Sequence, residues 1–352
     1  GGRRGAKVDL DALNRHLIPR VDAPPDPRVV YREQHLPQGE PELRVAMLER
    51  MALIRAFEQK LSSANARGEV PTEAIHLSIG QEAVAVGACF ALRADDTIAT
   101  THRGHGHMLA KGADLDGMMA EMMAKESGLC GGKGGSMHVT EAAVGAIGAN
   151  GIVGASPLAA AGAGHSALLR GTDQVAVAFM GDGATNQGMF HEAVNFVAVL
   201  DLPCVFVIEN NLYGEFTAVA DHVRVGRLSD RAAAYGIPGH TVDGNDAWAV
   251  HRATRDAVAR ARAGEGPTLL ECLTYRWHGH MEGEAGAYRP EGELEAWQAR
   301  CPVAAMGKRV VEEGTLDEAA VEAALGRAEE LVAGSWERAL QAPEPRAESL
   351  TT

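Results

Sequence analysis

The chain has 352 residues, 46% of them hydrophobic and 23% charged, so it can bury one large α/β core or two smaller ones and is not disordered by composition. A formal net charge of −14 argues against nucleic acid or an anionic membrane as the main partner, although a local basic pocket can still hold a phosphate. Five scattered cysteines with no C-x-x-C pair fit a reducing cytoplasm better than a disulfide scaffold or a zinc ribbon.

Residues 1–41 contain Pro19, Pro24, Pro25, Pro27, Pro37 and Pro41 with no sustained apolar period, which predicts an extended arm. The basic start has no apolar stretch behind it, so no signal peptide is expected. A helix follows, because Leu43, Met47, Met51, Ile54, Phe57 and Leu61 recur at steps of three and four until Gly68. From about 75 to 290, short β-branched runs alternate with helical patterns, the signature of a parallel sheet flanked by crossover helices. Ala142 to Leu169 carries no charged residue but is broken by glycines, Asn150 and Pro157; it reads as a buried loop leading into a packed helix, not a membrane span.

The clearest unit runs from Gln174 to Met180 as a strand, through Gly181-Asp182-Gly183, into a helix from about Gln187 to Val199, then a strand from Pro203 to Ile208. That is a βαβ crossover with polar residues just after each strand, where open α/β sheets bind ligands. Thr268 to Tyr275 predicts a further strand, and the stretch 301–352 predicts one helix and a frayed tail. The expected organisation is an arm over 1–41, a main α/β domain over 42–300 and a helical extension over 301–352.

Asp182 and Asn211 place a carboxylate and an amide oxygen at two adjacent strand ends. Such a hard-oxygen pair suits Mg²⁺, which completes its shell with phosphate and water. Gly181 and Gly183 leave room for a diphosphate beside a helix N-terminus. By itself Gly-Asp-Gly is an ordinary tight turn; the pair Asn210-Asn211, with 26 residues between it and Gly183, weighs toward a site. In Thr101-His-Arg-Gly-His-Gly-His107 the three histidines have neither a cysteine nor an acidic partner, so a phosphate-gripping Arg103 is preferred to a zinc cluster. Gly128-Leu-Cys-Gly-Gly-Lys-Gly-Gly-Ser-Met-His138 fails the Walker pattern, since Gly134 follows Lys133. His76 reads either as a half-buried histidine or, in its His-Leu-Ser-Ile-Gly-Gln-Glu82 setting, as a site residue.

The line Gly181-Asp-Gly-Ala-Thr-Asn-Gln-Gly-Met-Phe-His-Glu192 with Glu209-Asn-Asn-Leu-Tyr-Gly214 resembles the α subunit of the first component of the thiamine-diphosphate-dependent 2-oxo acid dehydrogenases, over about residues 43–290. The resemblance implies the thiamine-diphosphate-binding fold with thiamine diphosphate and Mg²⁺ as cofactors. It assigns the metal to Asp182, Asn211 and the Tyr213 carbonyl. It assigns further cofactor contacts to His102, Arg103, Gly183, Ala184 and His280, and the pyrimidine ring to the backbone of Gly151 and Val153. His105, His280 and His76 take the active-site roles, His280 assisting transfer to lipoamide. The resemblance also implies a β subunit that supplies a glutamate, an α₂β₂ heterotetramer, and a lipoyl-bearing acyltransferase that receives a two-carbon unit.

For substrate, Thr101 to His107, Ser127 to Cys130, and Gly279-His-Met-Glu-Gly-Glu284 with Tyr288-Arg-Pro290 look closest to acetoin dehydrogenase α subunits. Pyruvate dehydrogenase is the near alternative and branched-chain 2-oxo acids come third. His102 stands where tyrosine is common in the family, and Ala155-Ser156-Pro157 departs from the usual Gly-Gly-Ile-Pro. Met281 follows His280 where several eukaryotic relatives carry a regulatory serine, so that phosphorylation switch is not expected. A nucleotide- or NAD-binding regulatory subunit would account for the strands but not for Asn210-Asn211 or Arg103. A degenerate scaffold that only docks β would not need its site residues intact.

Overall fold

The structure, a computed structural model, describes residues 32, 35–71 and 74–351. Most of the expected N-terminal arm therefore lies outside the described residues. Helix α1 (Glu40–Ala66) starts with Pro at its first turn beside Glu40 and Glu42, which favour the positive end of the helix. Its buried stripe contains Leu43, Met47, Met51, Ile54, Phe57 and Leu61, and Gly68 follows with φ +71°. Then come α2 (Glu82–Cys89), β1 (Thr97–Ala99), α3 (His105–Lys111), α4 (Leu115–Met122), β2 (Ala146–Gly148) and α5 (Ser156–Arg170). The expected crossover follows as β3 (Ala176–Gly181), α6 (Gly188–Val199) and β4 (Cys204–Asn210). A small hairpin, β5 (Tyr213–Gly214) and β6 (Thr217–Ala218), leads into the single turn α7 (Val219–His222). The chain closes with β7 (Gly239–Asp243), α8 (Ala247–Arg262), β8 (Thr268–Leu273), α9 (Glu293–Gln298), α10 (Pro302–Glu312) and α11 (Glu318–Gln341).

Six strands form one parallel sheet in the order β2-β1-β3-β4-β8-β7. Alternation along β3 and β4 divides their side chains between two cores. Val177, Phe179, Val205 and Val207 join the larger core with α1, α2, α4 and α8. Ala176, Ala178, Met180, Cys204, Phe206 and Ile208 join a smaller core with α5 and α6. Both faces are covered, which is why these strands read as unbroken apolar runs. In register, Gly181 pairs with Glu209 and Asn210 with Leu273, so the polar clusters after β3 and β4 emerge at one edge of the sheet.

Two expectations need correction. The C-terminal stretch holds two helices rather than one, because Gly314, at φ +71°, ends α10's turn and Asp317 caps α11 through a hydrogen bond from Ala320. Both helices belong to the larger core, through Val303, Met306, Val310, Val332 and Trp336. The uncharged stretch after Ala142 is not a buried loop: Ile152 is 64% exposed and Val153 46%. Ala146, Ala149, Gly154 and the inner face of α5 are covered, while Ile147 and the turn at 151–153 face outward. Among the described residues, no helix is long and apolar enough to cross a membrane.

Candidate active site

A cleft of about 480 Å³ opens at the carboxyl edge of β3 and β4. It is the place the topology prescribes, because the chain leaves β1 toward β2 and the neighbouring β3 toward β4, so the loops after β1 and β3 part here. His76, His102, Arg103, Gly151, Val153, Asp182, Gly183, Ala184, Asn211, Tyr213 and His280 all line it. The sequence scatters these residues over more than 200 positions.

One wall is acidic and amide-rich. Asp182 is 1% exposed; its Oδ2 lies 3.2 Å from His222 Nε2, while Oδ1 is buried with no hydrogen-bond partner among the described residues. Asn211 donates from Nδ2 to Gln81 Oε1 at 2.8 Å, which turns its own oxygen toward the chain ahead, where Oδ1 accepts from Tyr213 N at 3.3 Å. Leu212 makes this possible by taking the left-handed conformation at φ +73°, rare for a residue with a Cβ and stable only when its surroundings impose it. Asn210, the first of the pair, serves the scaffold. Its Nδ2 donates to Glu271 Oε1 at 2.7 Å and its Oδ1 accepts from Leu212 N at 3.2 Å. The Tyr213 ring is anchored through its hydroxyl to Glu293, which Tyr275 also reaches. An unpaired buried carboxylate oxygen costs free energy unless something cationic satisfies it, and an oxygen-rich donor set around it fits a hard divalent ion.

A second group of lining residues is basic. Arg103 is buried and spends two guanidinium nitrogens on backbone, donating to the Leu77 carbonyl at 2.6 Å and the His280 carbonyl at 2.9 Å. Arg276 stands beside it, donating to the Glu215 carbonyl and to the Tyr288 hydroxyl. Burial, and then the Arg276 charge, pull the Arg103 pKa down to about 9. The His76, His102 and His280 rings meet with centroids 4.7 to 5.5 Å apart. Burial first, and the Arg103 charge second, push His76 down to about 4, His102 to about 2 and His280 to about 3. Their ring nitrogens lie within 4.8 Å of one another, close enough for a metal. Two neighbouring guanidinium groups oppose a dication there, and the same charges favour an anion such as a diphosphate.

Glycines set the fit between the walls. A Cβ on Gly183 would come within 3.1 Å of the Gly214 Cα, so the turn after β3 and the β5–β6 hairpin approach at backbone distance only because both are glycine. A Cβ on Gly80, at φ +100°, would lie 2.4 Å from the Tyr275 carbonyl oxygen. That contact brings the His76 segment against the segment that carries His280.

His105 departs from its expected place. It opens α3 pointing inward, fully buried, with Nδ1 3.1 Å from Glu58 Oε1 and Nε2 2.9 Å from Ser136 Oγ. It does not line the cleft. His102 lies in the turn before α3, so no helical period relates its direction to that of His105, and no pattern in Thr101 to His107 says which histidine faces out. His107 likewise turns into the core, stacked on Phe179. Gln81, His222 and Arg276 line the cleft without having been assigned a role from sequence. Gln81 and Arg276 sit inside segments that sequence reading singles out, whereas His222, on a four-residue helix, carries no local signal.

Residues 49–348 match the family described as the dehydrogenase E1 component. The α subunit of acetoin:2,6-dichlorophenolindophenol oxidoreductase from Bacillus subtilis is 52% identical over 247 residues, spanning 70% of this chain and 74% of that one. The subunit of the same name from Cupriavidus necator is 43% identical over 312 residues, spanning 88% and 93%. The α subunit of the pyruvate dehydrogenase E1 component from Rhizobium meliloti is 39% identical over 303 residues, spanning 86% and 87%. With this match extending through both walls of the cleft, the chain belongs to the dehydrogenase E1 component family of oxidoreductases, as an α subunit of the thiamine-diphosphate-dependent 2-oxo acid dehydrogenase type.

Proposed function

We propose that this chain is the α subunit of an enzyme that cleaves acetoin and passes the two-carbon unit on to lipoyl-lysine of an acyltransferase. The similarity that carries the choice of acetoin over pyruvate is the 52% identity to the Bacillus subtilis subunit, against 39% to the Rhizobium meliloti pyruvate enzyme. Thiamine diphosphate, when bound, supplies a carbanion that attacks a carbonyl and a ring that takes up the electrons of the broken C–C bond. The residues of this chain would hold it by its charged end. Mg²⁺ would sit at Asp182 Oδ1, the Asn211 side chain and the Tyr213 carbonyl, an assignment supported by the orphaned, buried Asp182 oxygen. Arg103 and His102 would face the diphosphate, with Gly183 and Ala184 as the floor and the exposed backbone of Gly151 and Val153 beside the pyrimidine.

His280 and His76 are neutral at pH 7, so each can hold a proton on one nitrogen and accept one on the other beside the reacting carbonyl. His105, shut off from the cleft, would act through Glu58 and Ser136 by fixing the segments on either side. A glutamate against the pyrimidine would come from a β subunit in an α₂β₂ assembly, covering the exposed 151–153 turn. The scattered thiols, all free, suit a reducing cytoplasm as the place of work. The test uses this chain co-purified with its β subunit, given thiamine diphosphate, Mg²⁺ and an artificial electron acceptor. Faster acceptor reduction with acetoin, with acetaldehyde released, is expected; faster reduction with pyruvate, with CO₂ released, would reassign the substrate.

A further inference from the structure

The two carboxylate oxygens of Asp182 have different surroundings. Oδ2 meets His222 Nε2 at 3.2 Å, and Oδ1 has no partner among the described residues. His222 closes α7, and its side chain is 15% exposed at the cleft wall. What it offers Asp182 depends on which ring nitrogen carries the proton, and its neighbours decide that. Asn186 Nδ2 lies 2.9 Å from the His222 carbonyl oxygen and 3.0 Å from His222 Nδ1. A carbonyl oxygen only accepts, so the Asn186 atom facing it is the NH₂ group. The other end agrees, because Arg231 Nη2, which only donates, reaches Asn186 Oδ1 at 2.7 Å. An NH₂ group aimed at Nδ1 needs a lone pair there. The neutral ring therefore carries its proton on Nε2 and donates it to Asp182 Oδ2.

A protonated Nε2 does not ligate a metal. We propose that His222 is a positioning residue for the divalent cation: it ties down Asp182 Oδ2 and leaves Oδ1 as the one carboxylate oxygen presented to the ion, so that the protein ligands stay oxygen only. Asn186, held by Arg231, sets the tautomer that makes this work. Gly214 gives the ring its space, since a Cβ there would lie 3.2 Å from His222 Nε2. The inference rests on the metal assignment made above. Outer hydrogen-bond partners of a metal ligand typically change metal affinity by roughly 10- to 100-fold.

The experiment titrates Mn²⁺ into the complex of this chain with its β subunit, with thiamine diphosphate present, and reads free Mn²⁺ by electron paramagnetic resonance; Mg²⁺ and Co²⁺ are read by competition. His222→Ala is expected to weaken all three ions by the same factor, roughly 10- to 100-fold. His222→Gln, which restores an N–H donor, is expected to recover most of the loss. An affinity for Mn²⁺ within twofold of the native complex in His222→Ala, while Asp182→Ala loses binding, overturns the proposal. A loss confined to Co²⁺, an ion that favours imidazole over Mg²⁺'s oxygen ligands, also overturns it by making His222 a ligand. Native-like Mn²⁺ binding in Asp182→Ala is a separate result, and it overturns the metal assignment itself.

Discussion

Asp182 and Arg103 line the same cleft, one a carboxylate with an unpartnered oxygen and one a guanidinium beside three imidazoles. A diphosphate with its cation satisfies both. Substituting Arg103 by Ala should therefore weaken thiamine diphosphate binding at least tenfold, while Arg103→Lys restores little, because a single ammonium cannot reach Leu77, His280 and a phosphate together; calorimetric titration of the complex measures both. The histidines make a second prediction. In the folded chain His76, His102 and His280 have pKa values of about 4, 2 and 3, below the ordinary value of 6.5. Between pH 6.5 and about 4 the unfolded chain binds more protons than the folded one, so stability is full above that window and falls as the pH falls through it. Thermal midpoints of the cofactor-free protein should drop steeply from pH 6.5 to pH 4, and His102→Asn should flatten that slope; an unchanged slope would contradict the neutral cluster.

At the scale of elements, the site depends on two devices that hold loops in place. Glu121, fully buried on α4, accepts the backbone N–H groups of Cys130, Gly132, Gly134 and Gly135. One carboxylate thus folds the glycine-rich loop whose Met137 reaches the cleft. Glu121→Gln puts an N–H donor where an acceptor is needed and should cost about 1–3 kcal/mol, with faster hydrogen exchange confined to 128–137. Gly80→Ala should do worse, since it clashes with the Tyr275 carbonyl and forces a left-handed conformation on a residue with a Cβ. Its expected signature is a lost histidine cluster: weaker thiamine diphosphate binding together with a lower thermal midpoint. Much of this level was legible in the sequence. The α1 stripe, the β3–α6–β4 crossover and the β8 strand follow from periodicity and from strands buried on both faces. The break between α10 and α11 is marked only by Gly314 and the Asp317 cap, signals that the apolar period of 319–331 alone does not contain. The outward turn at Ile152 and Val153 was not legible either, since exposed apolar residues look in sequence like apolar residues of a core.

For the whole molecule, the sheet explains why residues so distant in sequence converge. Parallel register sends the ends of β1, β3, β4 and β8 to one edge, where Arg103 follows β1 and ties the His76 segment in through the Leu77 carbonyl. The site residues lining that edge were legible as motifs, whereas His105 and His222 were not: facing direction and long-range hydrogen bonds are properties of the fold. An exposed turn beside the cleft and a cofactor reading that needs a glutamate from elsewhere argue that turnover belongs to the assembly. The purified chain should therefore give little acceptor reduction by itself, and adding the β subunit should restore it. The most direct test of the account is a calorimetric titration of thiamine diphosphate into that complex, with Mg²⁺, with a chelator, and in Asp182→Ala. Tight binding with Mg²⁺ that is lost in both other arms is predicted; binding of equal strength in all three would contradict the assignment of this cleft.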